Sequence, residues 1–308
     1  MKEMIWGYLL HLGYNMWSDR EGEAEYTKAS AVLRCDTPFW DELGVFLAKS
    51  GVNTCVIDLG EGVRYESHPE LAVEGSWSIE FLKKKLDALR ALGITPVPKL
   101  NFSACHDEWM GEYARAVSTP RYYRFCADII EEVTVLFDKP ALFHIGMDEE
   151  TYNHQKDYSY AVIRQDDLWW HDLYFLIEQV EKNGARAWMW SDYIWEHPEL
   201  FLKKMPKSVL QSNWYYGRFS GRELDSPGVA AYRLLEENGF DQVPTGSNWS
   251  CGENFGRTVE HCSKTIAPGR LKGFLQTSWK PTLAEQKYRH FEAADLLLRA
   301  KREYGEKT

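Results

Sequence analysis

Apolar runs rich in β-branched and aromatic residues recur along the chain, and each is followed by a segment whose apolar positions repeat at helical spacing. The strand-like runs are IWGYLL (5–10), NTCVIDL (53–59), ITPVPKL (94–100), ALFHIGM (141–147), ARAWMWS (185–191), SVLQSNW (208–214), FDQVPTG (240–246) and LKGFLQTSW (271–279). Between them lie PFWDELGVFLAKSG, SIEFLKKKLDALRALG, PRYYRFCADIIEEVTVLF, QDDLWWHDLYFLIEQVEKNG, HPELFLKKM, VAAYRLLEENG and RTVEHCSKTI, and LAEQKYRHFEAADLLLRAKREYG closes the chain. Gly51, Gly93, Gly184 and Gly239 each follow a helical pattern and precede a strand, the place of a left-handed C-terminal cap. Eight such units, with strands apolar almost throughout, predict an α/β fold: a (β/α)8 TIM barrel forming a single domain over residues 1–308.

The connections are uneven. Those leaving the first four strands are long, whereas those entering strands take a few residues. In a barrel the loops that leave the strands build the catalytic face, so the elaboration marks where a site belongs. Strand four runs directly into FHIGMDEE, which places Asp148 and Glu149 at that rim. Adjacent residues leaving a strand point in different directions, so the two carboxylates can address different parts of one ligand. Glycosidic cleavage needs that division: one group protonates the leaving oxygen while another stabilises positive charge at the anomeric carbon. An acidic turn or a helix cap would give the same letters. Glu150 reads as a solvated rim charge.

Composition sharpens the choice. The 308 residues carry 13 Trp and 14% aromatics, more indole than core packing usually requires. Trp190 ends strand five in WMWSD, Trp214 ends strand six in QSNWYY and Trp279 ends strand eight in LQTSW, all at the rim that bears the acids. A sugar ring has apolar C–H faces and polar edges, which suits indole walls with a few polar groups between them. A net charge of −10 argues against a nucleic-acid or anionic-membrane partner and leaves a neutral carbohydrate easy to accommodate. Six scattered cysteines without CxxC spacing suggest free thiols, and no cofactor or metal ligand set is indicated. The opening MKEMIWGYLLHLGY has a short apolar run broken by Gly7 and His11 with no small-residue cleavage site after it. A cytoplasmic protein is the expectation, with a secreted one stripped of its signal as the alternative.

HIGMDEE resembles the HIGGDE motif of the β-N-acetylhexosaminidases of glycoside hydrolase family 20. SHPELAVEGSWS, GITPVPKLNFSACH, WMWSD, QSNW and LQTSW are similar to that family's segments in order and approximate spacing from about residue 50 to 280. The resemblance implies a retaining exo-glycosidase acting on terminal β-linked N-acetylhexosamine. Glu149 would be the general acid and Asp148 the carboxylate that orients the substrate's own 2-acetamido group, whose oxygen attacks the anomeric carbon; the family is an exception to the two-carboxylate scheme. It also implies a box of Trp190, Trp214 and Trp279 around the acetamido methyl, with Asp192 beside it, His106 supporting the acid and His144 as the strand histidine of the motif.

The departures fall on sugar recognition. Where the family has an Arg at the end of strand one, this chain offers His11; a Glu two residues after the strand-eight Trp is replaced by Pro281. The Tyr expected after strand seven gives way to TGSNWSCGENF, where Asn248 or Trp249 stands in, and Lys99 and Asn101 take positions that tend to be acidic. Met147 replaces the second Gly of the motif. Lost hydroxyl partners alter discrimination between sugars. The alternatives are therefore a glycosidase of the same fold on a different sugar, or a carbohydrate-binding barrel without turnover. The chain also has no room for the N-terminal domain that many family members carry, which leaves a bare catalytic domain as the expectation.

Overall fold

The computed structural model describes residues 4–17, 28–158 and 160–306. The apolar runs become β1 (Ile5–His11), β2 (Thr54–Asp58), β3 (Thr95–Lys99), β4 (Leu142–His144), β5 (Arg186–Trp190), β6 (Leu210–Ser212), β7 (Thr245–Ser247) and β8 (Gly273–Thr277). The paired neighbours are parallel, in the order β6-β5-β4-β3-β2-β1-β8-β7. Parallel bridges from Gln211 to Gln242 and from Trp214 to Thr245 join the two ends of this row, so the sheet closes into a (β/α)8 barrel.

The helices around it are α1 (Thr37–Lys49), α2 (Ile79–Ala91), α3 (Pro120–Leu136), α4 (Tyr152–Gln155), α5 (Asp166–Lys182), α6 (Tyr193–Glu196), α7 (Pro198–Lys204), α8 (Pro227–Glu237), α9 (Asn254–Thr265) and α10 (Lys287–Gly305). Asp36, Ser78, Thr119 and Ser226 cap α1, α2, α3 and α8 by accepting a hydrogen bond from a first-turn N–H. Gly51, Gly93, Gly184 and Gly239 adopt φ of +80°, +80°, +90° and +79°, the left-handed turn that ends each helix before the next strand.

Three strands shrink to three residues. β7 spans Thr245–Ser247 rather than 240–246 because Pro244 has no N–H to give the ladder, although Gln242 and Val243 on its far side still pair with both neighbours. β6 keeps only Leu210–Ser212, with bridges at either flank. β4 stops at His144 because Gly146 and Met147 turn left-handed, with φ of +71° and +75°.

Alternation along the strands sorts two cores. Trp6, Tyr8 and Leu10 face the helices, whereas Leu9, Val56, Val97, Trp188, Trp190, Leu210, Val243 and Leu275 fill the barrel. Above that filling, His11 registers with Asp58, Asp58 with Lys99, and Lys99 with His144, so a buried polar row crosses the C-terminal ends of β1 to β4. The Lys99 ammonium pairs with Asp58, which gives a charged side chain only 1% exposed its counter-ion. All six cysteines are free thiols. Among the described residues no helix is long and apolar enough to cross a membrane.

Candidate active site

The acids are positioned by the turn that ends β4. Ile145 still donates to the Trp188 carbonyl at 2.8 Å, and then the chain folds over Asn101. Asn101 Oδ1 accepts from the Met147 and Ser103 N–H groups, each at 3.1 Å, and its Nδ2 donates to Asp148 Oδ1 at 2.7 Å. A Cβ on Gly146 would lie 2.0 Å from Asn101 Oδ1, so only glycine lets the two loops approach this closely. The Ser103 hydroxyl donates to the Asp148 carbonyl and completes the tie. Asn101, a departure from the resembled pattern, thus fixes the turn that aims Asp148 into the barrel mouth.

Glu149 follows at φ +57°, and its N–H donates to Asp192 Oδ2 at 2.9 Å. Met147, Glu149 and Trp279 are all non-glycine residues in the left-handed region, at a cost of about 1–2 kcal/mol each, and all three stand at this mouth. His106 reaches in from the loop after β3. Its Nε2 lies 3.4 Å from Asp148 Oδ2 and 3.2 Å from Glu149 Oε2, so one imidazole bridges both acids. A second imidazole, His154 on α4, meets the other Glu149 oxygen at 3.1 Å.

These contacts set the charges. Burial alone would raise both carboxylates, but His106 holds Asp148 below its ordinary value, and His106 and His154 together hold Glu149 well below its own. Burial likewise opposes charge on His106, yet Asp148 and Glu149 push its pKa well above the usual imidazole range. Asp192 moves the other way: burial, then the Asp148 charge, raise it to about 7, against the hydrogen bond from Glu149 N–H. The cluster therefore pairs two ionised acids with two basic imidazoles and keeps a protonatable carboxyl alongside.

Aromatic rings close the mouth. Trp190 is fully buried, and its ring centroid lies 5.9 Å from that of Trp279. Trp214 stacks on Tyr216 at 5.0 Å and directs its Nε1 to Asp192 Oδ1 at 3.3 Å. Trp279 Nε1 donates to the Tyr216 hydroxyl at 2.9 Å. Burial raises Tyr216 well above the usual phenol range, and the charges of Glu149, Asp148 and Asp192 add to the shift, so this hydroxyl stands near the acids as a neutral group. His144 lies on the floor, with its ring 4.4 Å from Trp190. His11 lies across from it, 3.6 Å from Asp58 and packed on Tyr14 and Trp279. Burial and then Lys99 push both His11 and His144 well below the usual range. Among the described residues, both His11 nitrogens, His144 Nε2 and Trp190 Nε1 are buried without a hydrogen-bond partner, which leaves them open to a polar ligand.

Solved structures match this barrel, although no family model and no curated protein matches the chain. The exo β-N-acetylglucosaminidase of glycoside hydrolase family 20 from Vibrio harveyi, solved with N-acetylglucosamine, superposes with a TM-score of 0.63 at 14% identity, over 99% of this chain and 57% of that one. The family 20 β-N-acetylhexosaminidase from Streptomyces coelicolor A3(2) gives 0.65 at 11%, over 98% of this chain and 69% of that one. A mutant β-hexosaminidase of Streptomyces plicatus in complex with its product GlcNAc gives 0.64 at 13%, over 98% and 68%. The fold is that of the family 20 hydrolase barrel. This chain spans 57% of the Vibrio protein's length.

Within this barrel, Asp148, Glu149, His106, Asp192, Trp190, Trp214 and Trp279 come together at one mouth, with His11 and His144 beneath. Trp249 stands apart: it is 49% exposed, lies under the Lys280 ammonium, and among the described contacts none joins it to the acids. Asn248 turns away as well, donating to the Arg289 carbonyl and to Glu292 on α10. Tyr216, two residues beyond Trp214, supplies the hydroxyl that neither of them brings. Glu150 is not a solvated rim charge. Its side chain is 3% exposed and paired with Arg164, which also holds Asp172, because the turn after Glu149 sends it down between the loop after β3 and α5. Cys105, His106 and Glu149 bring a sulfur, a ring nitrogen and a carboxylate oxygen within 4.8 Å of one another. His106 Nε2 serves the two acids, and the buried Cys105 Sγ lies 4.0 Å from the Tyr158 hydroxyl.

Proposed function

We propose that the protein is a retaining exo-glycosidase that releases terminal β-linked N-acetylhexosamine, GlcNAc or GalNAc, from an oligosaccharide or glycoconjugate by substrate-assisted catalysis. The observation that carries this reading is the single imidazole of His106 joining Asp148 to Glu149 inside a wall of three indoles. Asp148, kept ionised by His106 and given a donor by Asn101, accepts the acetamido N–H and makes the acetamido oxygen a better nucleophile. That oxygen attacks the anomeric carbon as the C1–O bond breaks, and Glu149 gives a proton to the departing oxygen. Water then opens the oxazolinium ring with Glu149 as base, so the anomeric configuration is retained. Trp190, Trp214 and Trp279 supply apolar faces for the methyl group and the sugar ring, and the Tyr216 hydroxyl, which accepts from Trp279, keeps its own proton for an oxygen in the cavity.

The His11 nitrogens and His144 Nε2, which have no partner among the described residues, and the Asp58–Lys99 pair take the place of an Arg in receiving sugar hydroxyls. That same floor favours a second reading, in which a differently substituted sugar is the preferred one. Hydrolysis of 4-nitrophenyl β-GlcNAc, β-GalNAc, β-glucoside and β-galactoside by wild type and Asp148→Asn separates the two. Turnover confined to the 2-acetamido sugars and lost in the variant supports substrate assistance; turnover of the plain sugars supports the second reading.

A further inference from the structure

Glu149 carries two imidazoles, and they differ in their access to water. His106, on Oε2, has a side chain only 4% exposed, whereas His154, on Oε1, is 39% exposed. His154 thus gives the carboxyl a path to solvent that His106 cannot. Its placement is built into the turn: Thr151 N–H donates to the Glu149 carbonyl at 2.7 Å, folding the chain back so that α4 starts over the acid. Thr151 Oγ1 then caps the His154 N–H and meets His154 Nδ1 at 2.9 Å, which leaves Nε2 facing Glu149.

An acid that both imidazoles hold ionised has no proton of its own to give. From the geometry we infer that His154 is the positioning residue that stores the proton for Glu149, passes it on as the leaving group departs, and exchanges it with water. In the first half-reaction the glycosidic oxygen takes a proton from Glu149 while the C1–O electron pair moves onto that oxygen. That proton reaches Glu149 from His154 Nε2–H, which keeps the N–H electron pair as a neutral imidazole, so Glu149 ends the half-reaction ionised and ready to act as base. In the second half-reaction Glu149 takes a proton from the attacking water and hands it back to His154, so the sum is addition of water across the glycosidic bond. Three ionisable groups act on His154: Glu149, which binds its proton, His106 from the loop after β3, which repels it, and Asp192 from the end of β5, which attracts it. The hydrogen bond to Glu149 dominates and raises His154 above 6.5.

This inference rests on the glycosidase reading, and its test has a readout that does not. His154→Gln keeps a hydrogen-bond donor but cannot exchange a proton in the neutral range. With kcat/KM measured against pH, the variant is expected to move the alkaline limb down by about one unit, because Glu149 must then hold the proton itself. It should also slow a chitobioside about tenfold more than an activated aryl glycoside, since only the former depends fully on protonation. A pH profile left in place, with both substrates slowed equally, would overturn the role. Independently of turnover, the NMR titration midpoint of His154 is expected to fall towards 6.5 in Glu149→Gln. A midpoint indifferent to that substitution overturns the pairing, while a coupled midpoint in a protein that hydrolyses no glycoside sustains the pairing and sinks the glycosidase reading.

Discussion

His106 Nε2 stands 3.4 Å from Asp148 and 3.2 Å from Glu149, so one proton-bearing atom couples the group that orients the substrate to the group that protonates the leaving oxygen. Replacement with Gln retains a donor but removes the positive charge that both carboxylates face. We expect His106→Gln to lower kcat on a poor-leaving-group substrate by about 10²-fold. Combined with Asp148→Asn it should cost less than the product of the single effects, because the two residues act as a unit. Steady-state kinetics of the two single variants and the double variant check this.

The turn over Asn101 makes a stability prediction that does not depend on substrate. Gly146→Ala places a methyl 2.0 Å from Asn101 Oδ1 at φ +71°, so the loops after β3 and β4 must separate. A loss of about 3 kcal/mol or more is expected in urea unfolding, with activity falling further than stability because Asp148 moves with the turn.

Arg164 is 1% exposed between Glu150 and Asp172, and Asp172 also receives the Ser118 and Tyr123 hydroxyls. Arg164→Ala leaves two carboxylates buried without their cation, a cost of about 3–5 kcal/mol. Substitution of all three residues by apolar ones of similar volume should be milder than that single change. Chemical denaturation of the two variants compares them.

Acid stability should report on His290. Its Nδ1 meets the Tyr8 and Ser278 hydroxyls, its Nε2 meets the Pro281 carbonyl, and burial lowers it from 6.5 to about 4. Between those values the unfolded chain binds a proton that the folded one refuses, so stability rises with pH across the window. The contribution is about 3 kcal/mol. Denaturation midpoints measured from pH 4 to 7 should show a rise to which the buried His11 and His144 add, and His290→Gln should make it shallower.

The barrel was legible because its strands are buried on both faces and its helices carry a clear period, with glycine at the helix ends. The strand limits were not, since Pro244 and the left-handed turn at Gly146 interrupt apolar runs that continue past them in sequence. Asp148, Glu149 and the three indoles stood out because acids and Trp are unusual at the ends of buried strands. His154 did not: it lies in TYNHQ, a polar stretch with no strand to locate it, and only the turn at Thr151 brings it back to Glu149. Tyr216 is one of 17 tyrosines, and the Lys99–Asp58 pair joins different strands, so neither partnership has a local signature.

The central claim is that Asp148 acts through a 2-acetamido group. Inhibition by GlcNAc-thiazoline, which mimics the cyclised intermediate, tests it most directly when wild type and Asp148→Asn are measured side by side. The account predicts competitive inhibition of wild type at least about 10²-fold tighter than by GlcNAc itself, largely lost in Asp148→Asn. A wild-type enzyme that hydrolyses glycosides while remaining indifferent to the thiazoline would contradict it.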